Sequence, residues 1–200
     1  MNLYLNQASP YARLIRVLLI ETGLDNETEL IYVDPWESAD ELLFANPASK
    51  VPALTLKDGT RLVESTCISD FLIRHSGQNT LSPMSHLDAE TRLQILGLGR
   101  AALDCSFGSV IQQRFVPDSP LIERWLATLP RIAGALEELY ARKISTDADL
   151  ADLTVAVAFE YIDFRLPEIQ WQSQTPHLAD RVRSLGRRAS LETTRPPRNS

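Results

Sequence analysis

Val51-Pro52-Ala53-Leu54-Thr55-Leu56-Lys57-Asp58-Gly59-Thr60-Arg61-Leu62-Val63-Glu64-Ser65 reads as strand, turn, strand and the opening of a helix. Val51–Leu56 and Thr60–Val63 carry the strand pattern, and Asp58-Gly59 is a favoured two-residue hairpin turn between them. Thr66–His75 continues as a helix that stops at Gly77. Upstream, Asn2–Asn6 (NLYLN) is a short strand with Leu3 and Leu5 on one face. Ser9-Pro10 opens an apolar helix, with Ser9 as N-cap, Pro10 in the first turn and Gly23 as the stop. Glu29–Val33 is a second strand, and a weaker helix spans Glu37–Ala45 after Pro35. The order is βαβαββα, which builds a sheet with helices packed against it.

Beyond this unit the grammar changes. Residues 77–87, GQNTLSPMSHL, are polar and turn-forming, a linker by composition. No further strand pattern follows. Helical periodicity runs through Asp88–Phe115, Pro120–Arg142, Leu150–Phe164 and His177–Ser190, broken at Pro117, Ser145–Asp149 and Pro167–Pro176. The expected organisation is an α/β domain over 1–76, a linker over 77–87 and an all-helical bundle over 88–200.

The 200 residues are 44% hydrophobic and 23% charged, which excludes disorder for most of the chain. No apolar run approaches the length that spans a bilayer, and the opening MNLYLNQASP lacks the regions of a signal peptide. The expected location is the cytoplasm. Cys67 and Cys105 sit far apart in apolar contexts, so neither a disulfide framework nor a metal pair is indicated. The net charge of −6 argues against nucleic acid as the main partner. Residues 181–200 do hold six arginines against one glutamate, which reads as a solvated last helix and a frayed end, with a phosphate-binding tail as the alternative.

Three places carry candidate chemistry. Ser9 stands at a helix N-terminus, where backbone N–H groups and the helix dipole favour an anion such as a thiolate; alone, it is a simple cap. In Asn46–Leu54 (NPASKVPAL), Pro52 stands at the start of a strand. A cis Val51–Pro52 bond would free the Val51 main chain for a peptide-like ligand; an ordinary trans edge proline is the alternative. Ser65 reads as the N-cap of the third helix, able to hold a carboxylate, with Glu64 placed for an ammonium group. One ligand bearing an α-amino acid end, a peptide backbone and a thiol would use all three.

Taken in order, Ser9-Pro10-Tyr11 with Arg13, then NPASKVPAL, then LKDGTRLVES closely resemble the soluble glutathione transferases. The likeness extends to Asp149-Leu150-Ala151-Asp152, similar to the family's capping box, and to the closing helix at His177–Pro196. The resemblance implies a thioredoxin-like domain followed by a helical bundle, with glutathione as co-substrate and no other cofactor. It implies that Ser9 contacts the sulfur as the catalytic residue. Lys50 would reach the glycyl carboxylate, Val51 the cysteinyl backbone beside a cis Pro52, and Glu64 with Ser65 the γ-glutamyl end. Serine directly before proline is like the plant tau enzymes. A cysteine stands there in the omega and glutaredoxin-like relatives, and serine removes that chemistry.

The implied reaction is attack of the glutathione thiolate on a hydrophobic electrophile, an alkyl or aryl transfer of the detoxifying kind, by a homodimer. A glutathione- or ligand-binding protein without turnover, and a glutathione-dependent isomerase or dehalogenase, are the competing functions. Tyr11, Phe107 and Arg114 are candidates for the second-substrate pocket, with Phe115 beside them, or aromatic filler of a bundle. Asp104 is a candidate for reaching a neighbouring subunit's site. Asp149 and Asp152 read as a helix cap rather than an acid–base pair. The histidines His75, His86 and His177 are scattered, and no metal ligand set is expected.

Overall fold

The computed structural model describes residues 1–76, 89–142 and 147–196. The expected linker at 77–87, with His86, and Ser145 lie outside the described residues. The chain divides into two compact units: Met1–Leu81 with Ala189–Ser200, and Ser82–Arg188.

The first unit runs β1 (Asn2–Leu5), α1 (Pro10–Thr22), β2 (Glu29–Tyr32), α2 (Asp40–Ala45), β3 (Ala53–Thr55), β4 (Arg61–Val63) and α3 (Ser65–His75). These form the expected thioredoxin-like βαβαββα unit. The sheet order is β2-β1-β3-β4, with β1 parallel to β2 and antiparallel to β3, and β3 antiparallel to β4. Leu3, Leu5, Leu54, Ile15, Leu18, Ile68 and Leu72 are completely buried in it. Each such side chain is worth about 1.5–3 kcal/mol in removed apolar surface, which makes the packing of α1 and α3 the framework for everything at their ends.

Local sequence explains the boundaries. α1 ends at Gly23, whose φ of +70° lets its N–H reach back to the Ile20 carbonyl. The hairpin differs from expectation: its loop is Lys57–Gly59, closed by the Leu56 N–H to the Thr60 carbonyl at 2.8 Å. Gly59 takes φ +87°, and the Asp58 carboxylate accepts from the Thr60 N–H at 2.9 Å. Glycine in the left-handed region favours this longer, bulged loop over a two-residue one.

The second unit is helical: α4 (Ala89–Phe115), α5 (Pro120–Leu126), α6 (Leu129–Tyr140), α7 (Leu150–Arg165) and α8 (Pro176–Leu185). Every residue from Ala151 to Phe159 is buried, so α7 is the central helix, apolar all round. At Gly99 of α4 a Cβ would lie 2.9 Å from Val155 Cγ2, so only glycine lets α4 approach α7 this closely. Trp171 is buried edge-on to Phe159, ring centroids 4.6 Å apart.

The capping box opens α7 as the sequence indicated: Asp149 Oδ1 accepts from the Asp152 N–H at 3.0 Å, and Asp152 accepts from the Asp149 N–H. The two carboxylates also hold a buried cluster. Arg92 of α4 donates to Asp149 and Asp152, Arg181 of α8 donates to Asp152 at 2.7 Å, and Tyr140 donates to it at 3.0 Å. Burial alone would push the Asp152 carboxyl up, but Arg181 and Arg92 hold it below the usual carboxylate range.

Two expected helices are divided. Pro120–Arg142 breaks at Ala127–Thr128, where Pro130 in the first turn of α6 has no N–H to continue the ladder. His177–Ser190 breaks after Leu185, with Gly186 in the C-cap position, and a last helix α9 (Ala189–Thr193) follows. The described residues of Ala189–Pro196 group with the first unit, not with the bundle in which residues 88–200 were expected. The physical reason is a docked, buried segment on α1: Leu191 is fully buried and Ser190 and Thr194 nearly so. Arg13 Nη2 donates to the Leu191 carbonyl at 3.1 Å, and Ser190 Oγ donates to the Glu21 carboxylate at 2.5 Å.

Candidate active site

Strand register brings the three sequence candidates to one end of the sheet. Tyr4 pairs with Ala53 and Ala53 pairs with Val63. The exit of β1, the start of β3 and the exit of β4 are therefore neighbours. Ser9 follows the first, Val51-Pro52 precedes the second, and Glu64-Ser65 follows the third.

Ser9 is the N-cap of α1, with φ −80° and ψ 118°. Its Oγ accepts from the Ala12 N–H at 3.2 Å, and its carbonyl accepts from the Arg13 N–H at 3.0 Å. Used as an acceptor in the cap, the hydroxyl keeps its own proton to donate. Asn6 shapes the loop that delivers Ser9: its Oδ1 accepts from the Ala8 N–H at 2.9 Å and its carbonyl accepts from the Ser9 N–H at 3.1 Å.

The second corner is built the same way. The Val51–Pro52 bond is cis, as the resemblance implied, and β3 begins only at Ala53, leaving Val51 ahead of the ladder. Asn46 is buried; its Oδ1 accepts from the Ala48 N–H at 3.0 Å, and its Nδ2 donates to the Lys50 carbonyl at 2.8 Å. Ser49 holds φ +51°, and its Oγ donates to the Pro35 carbonyl at 3.0 Å. Lys50 is exposed, its ammonium on a loop whose backbone is pinned on both sides.

At the third corner the cap is one residue earlier than expected. Glu64 occupies the N-cap position with φ +67° and ψ 123°, while Ser65 is the first helical residue of α3 and only 2% exposed. The Glu64 carbonyl already accepts the first helical bond, from the Ile68 N–H at 3.0 Å, so Glu64 and not Ser65 is the half-in residue. A glutamate with positive φ and extended ψ costs about 1–3 kcal/mol. Its side chain is exposed and makes no capping hydrogen bond to the start of α3.

The other candidates are divided between the two units. Tyr11 is half-buried in the first turn of α1. Phe107 and Arg114 lie two turns apart on α4 of the second unit, with the Arg114 guanidinium 5.0 Å from the centroid of the exposed Phe115 ring. Asp104 is exposed on the same helix, and beside it burial and that carboxylate push the Cys105 thiol up. Cys67, expected in apolar surroundings, is exposed instead, in the first turn of α3. His177 pairs with Glu137, which also accepts from the Leu178 N–H at 2.9 Å and so caps α8. Within the second unit an open groove of about 600 Å³ is lined by Pro117, Pro120, Ile122, Leu126 and Ile169, none of them a candidate residue.

Sequence reading gave no role to Asn6, Asn46 or Ser49. The signal was present for the asparagines, since each precedes a turn two residues on and asparagine favours that Asx geometry. Among the described residues no cluster of three or more metal-capable side chains occurs, and no helix is long and apolar enough to cross a membrane.

An α/β unit of thioredoxin type, presenting a serine-capped helix, a cis-proline loop and a strained helix start at one sheet end, followed by a helical unit, defines the class. Residues 8–75 match the family model described as glutathione S-transferase, N-terminal domain. A glutathione transferase family member from Pseudomonas fluorescens Pf-5, solved with bound glutathione, is 31% identical, with 98% of each chain covered and a TM-score of 0.85. A glutathione S-transferase from Methylobacillus flagellatus KT, solved with glutathione bound, is 26% identical, covering 98% of this chain and 99% of that one, with a TM-score of 0.86. The uncharacterized GST-like protein YibF of Escherichia coli K12 is 26% identical over 99% of this chain and its own full length. The chain belongs to the glutathione transferase family.

Proposed function

We propose that this protein is a glutathione transferase, using Ser9 to stabilise the thiolate of bound glutathione for attack on a hydrophobic electrophile. The observation that carries the reading is the register Tyr4–Ala53–Val63, which gathers Ser9, Val51 and Glu64-Ser65 at one end of the sheet. Relatives of the same fold hold glutathione. In this reading the Val51 main chain pairs with the cysteinyl backbone, Lys50 meets the glycyl carboxylate, and Glu64 with the α3 N-terminus takes the γ-glutamyl ammonium and carboxylate.

The energetics are adequate. A free thiol with a pKa of about 8.5 is only a few per cent ionised at neutral pH. Lowering it by about two units requires about 2.7 kcal/mol of preference for the thiolate. A hydrogen bond to a charged acceptor supplies about 1.5–3 kcal/mol, and the α1 N-terminus adds to it. The thiol proton passes to solvent, the sulfur forms a bond to the electrophilic carbon, and the leaving group departs with its electron pair. Tyr11, in the first turn of α1, is proposed to meet the electrophile. The protein is proposed to act as a homodimer in the cytoplasm.

Calorimetric titration with glutathione, followed by turnover of a small electrophile panel, tests this. Binding together with Ser9-dependent turnover is expected. Binding without such turnover would make the protein a glutathione carrier, and absence of binding would remove the reading.

A further inference from the structure

Two of the three non-glycine residues with positive φ among the described residues touch each other. Ser38, φ +50°, lies in the loop between β2 and α2, and Ser49, φ +51°, stands directly before Lys50 and Val51. Their hydroxyl oxygens are hydrogen-bonded at 2.9 Å, and Ser49 Oγ also donates to the Pro35 carbonyl at 3.0 Å. Left-handed backbone is unfavourable for a residue with a Cβ, and it persists where the surroundings hold it. Neither loop needs the other in order to turn. In the first, the Asp34 carboxylate accepts from the Trp36 N–H at 2.9 Å, and the Asp34 carbonyl from the Glu37 N–H at 3.2 Å. In the second, Asn46 accepts from the Ala48 N–H through its side chain at 3.0 Å and from the Ser49 N–H through its carbonyl at 2.9 Å. The hydroxyl pair therefore joins two turns that are already closed. With the Lys50 carbonyl held by Asn46 Nδ2 at 2.8 Å, the dihedrals of Ser49 set where the exposed Lys50 side chain leaves the loop.

We propose that the Ser38–Ser49 pair is a positioning element of the glutathione site, fixing Lys50 for the glycyl carboxylate and so favouring the tripeptide over its des-glycyl form. The proposal rests on the glutathione reading above and deepens it by naming what determines recognition at the glycyl end. Neither serine is assigned a contact with the ligand. Ser49 acts through the backbone it shares with Lys50, and Ser38 acts through Ser49. A Lys50 set in advance loses little further freedom when the carboxylate arrives, which is how a tethered loop gains affinity. The sulfur is served by Ser9 at another corner, so the pair leaves the thiol pKa untouched.

The test is calorimetric titration with glutathione and with γ-glutamylcysteine, which lacks the glycine, on the wild type, Ser38→Ala and Ser49→Gly. Glycine takes positive φ freely, so Ser49→Gly keeps the turn and loses the hydroxyl. A melting curve establishes that each variant is folded. The wild-type protein is expected to bind glutathione more tightly than γ-glutamylcysteine. Each variant should weaken glutathione binding by about three- to tenfold, the worth of one hydrogen bond. Its affinity for γ-glutamylcysteine and the pH titration of the bound glutathione thiol should stay at the wild-type values. A merely structural defect lowers both affinities together. An equal loss for the two peptides, or unchanged glutathione affinity in either folded variant, overturns the proposal. So does a wild-type protein that binds the two peptides equally, because Lys50 then has no glycyl partner. Failure of the wild-type protein to bind either peptide would instead remove the underlying reading, and is seen without any variant.

Discussion

Replacing Ser9 by alanine removes one observed bond and the one proposed for it, and the two can be measured separately. The first is the cap: the Ala12 N–H loses its acceptor at 3.2 Å. Such losses cost about 1 kcal/mol, which in a chain of this size lowers the melting temperature by about 2–4 °C. The second is the proposed donor to the bound thiolate, worth about 1.5–3 kcal/mol, or roughly one to two pKa units. If the wild-type thiol titrates near ~6.5, the variant should titrate between ~7.5 and ~8.5. At pH 7 the thiolate fraction then falls from about three quarters to between a quarter and a few per cent. The more basic thiolate is also intrinsically more nucleophilic, so the rate falls less than the fraction does. The decisive assay is therefore the pH dependence of kcat, whose acid limb should move up by one to two units while the rates converge in alkali. A variant that melts a few degrees lower but keeps the wild-type limb would show that Ser9 is a helix cap only, and the activating donor would have to be another group.

Two further outcomes follow from the geometry. Glu64→Gly relieves a φ of +67° and should raise stability by about 1 kcal/mol, while glutathione affinity should fall through loss of the proposed carboxylate–ammonium contact; denaturant unfolding and calorimetry read both, and a less stable variant of unchanged affinity would contradict it. Asp152 has its folded-state pKa held down by Arg181 and Arg92 against burial, so its contribution is complete above the unfolded value of about 3.9 and lost as the pH falls through the lower folded one. Asp152→Asn should cost about 3–5 kcal/mol at neutral pH and flatten the acid side of the stability profile, and an unchanged acid profile would refute the assigned role.

What the sequence disclosed was local. Ser9-Pro10 and Gly23 mark both ends of α1 through chemistry confined to a few residues. Asp149 and Asp152 announce their capping box in the same way. What it hid depends on partners far along the chain. Nothing near Asp152 names Arg92, sixty positions away, or Arg181 as the cations that share its carboxylate. Nothing in the amphipathic run from His177 to Ser190 tells that its end leaves the bundle and docks on α1 through Leu191 and Ser190. The break before Pro130 was missed because periodicity continues across it. At the candidate site, the residue types at all three corners were legible, but their convergence is a matter of strand register, and the shift of the third cap from Ser65 to Glu64 is a matter of backbone dihedrals.

The most direct measurement is the ultraviolet pH titration of the glutathione thiol bound to the wild-type protein. A sheet end that presents Ser9 and the α1 N-terminus to that sulfur should give a midpoint about two units below the ~8.5 of a free thiol. A bound thiol that titrates like free glutathione, or a protein that does not bind glutathione at all, would contradict it.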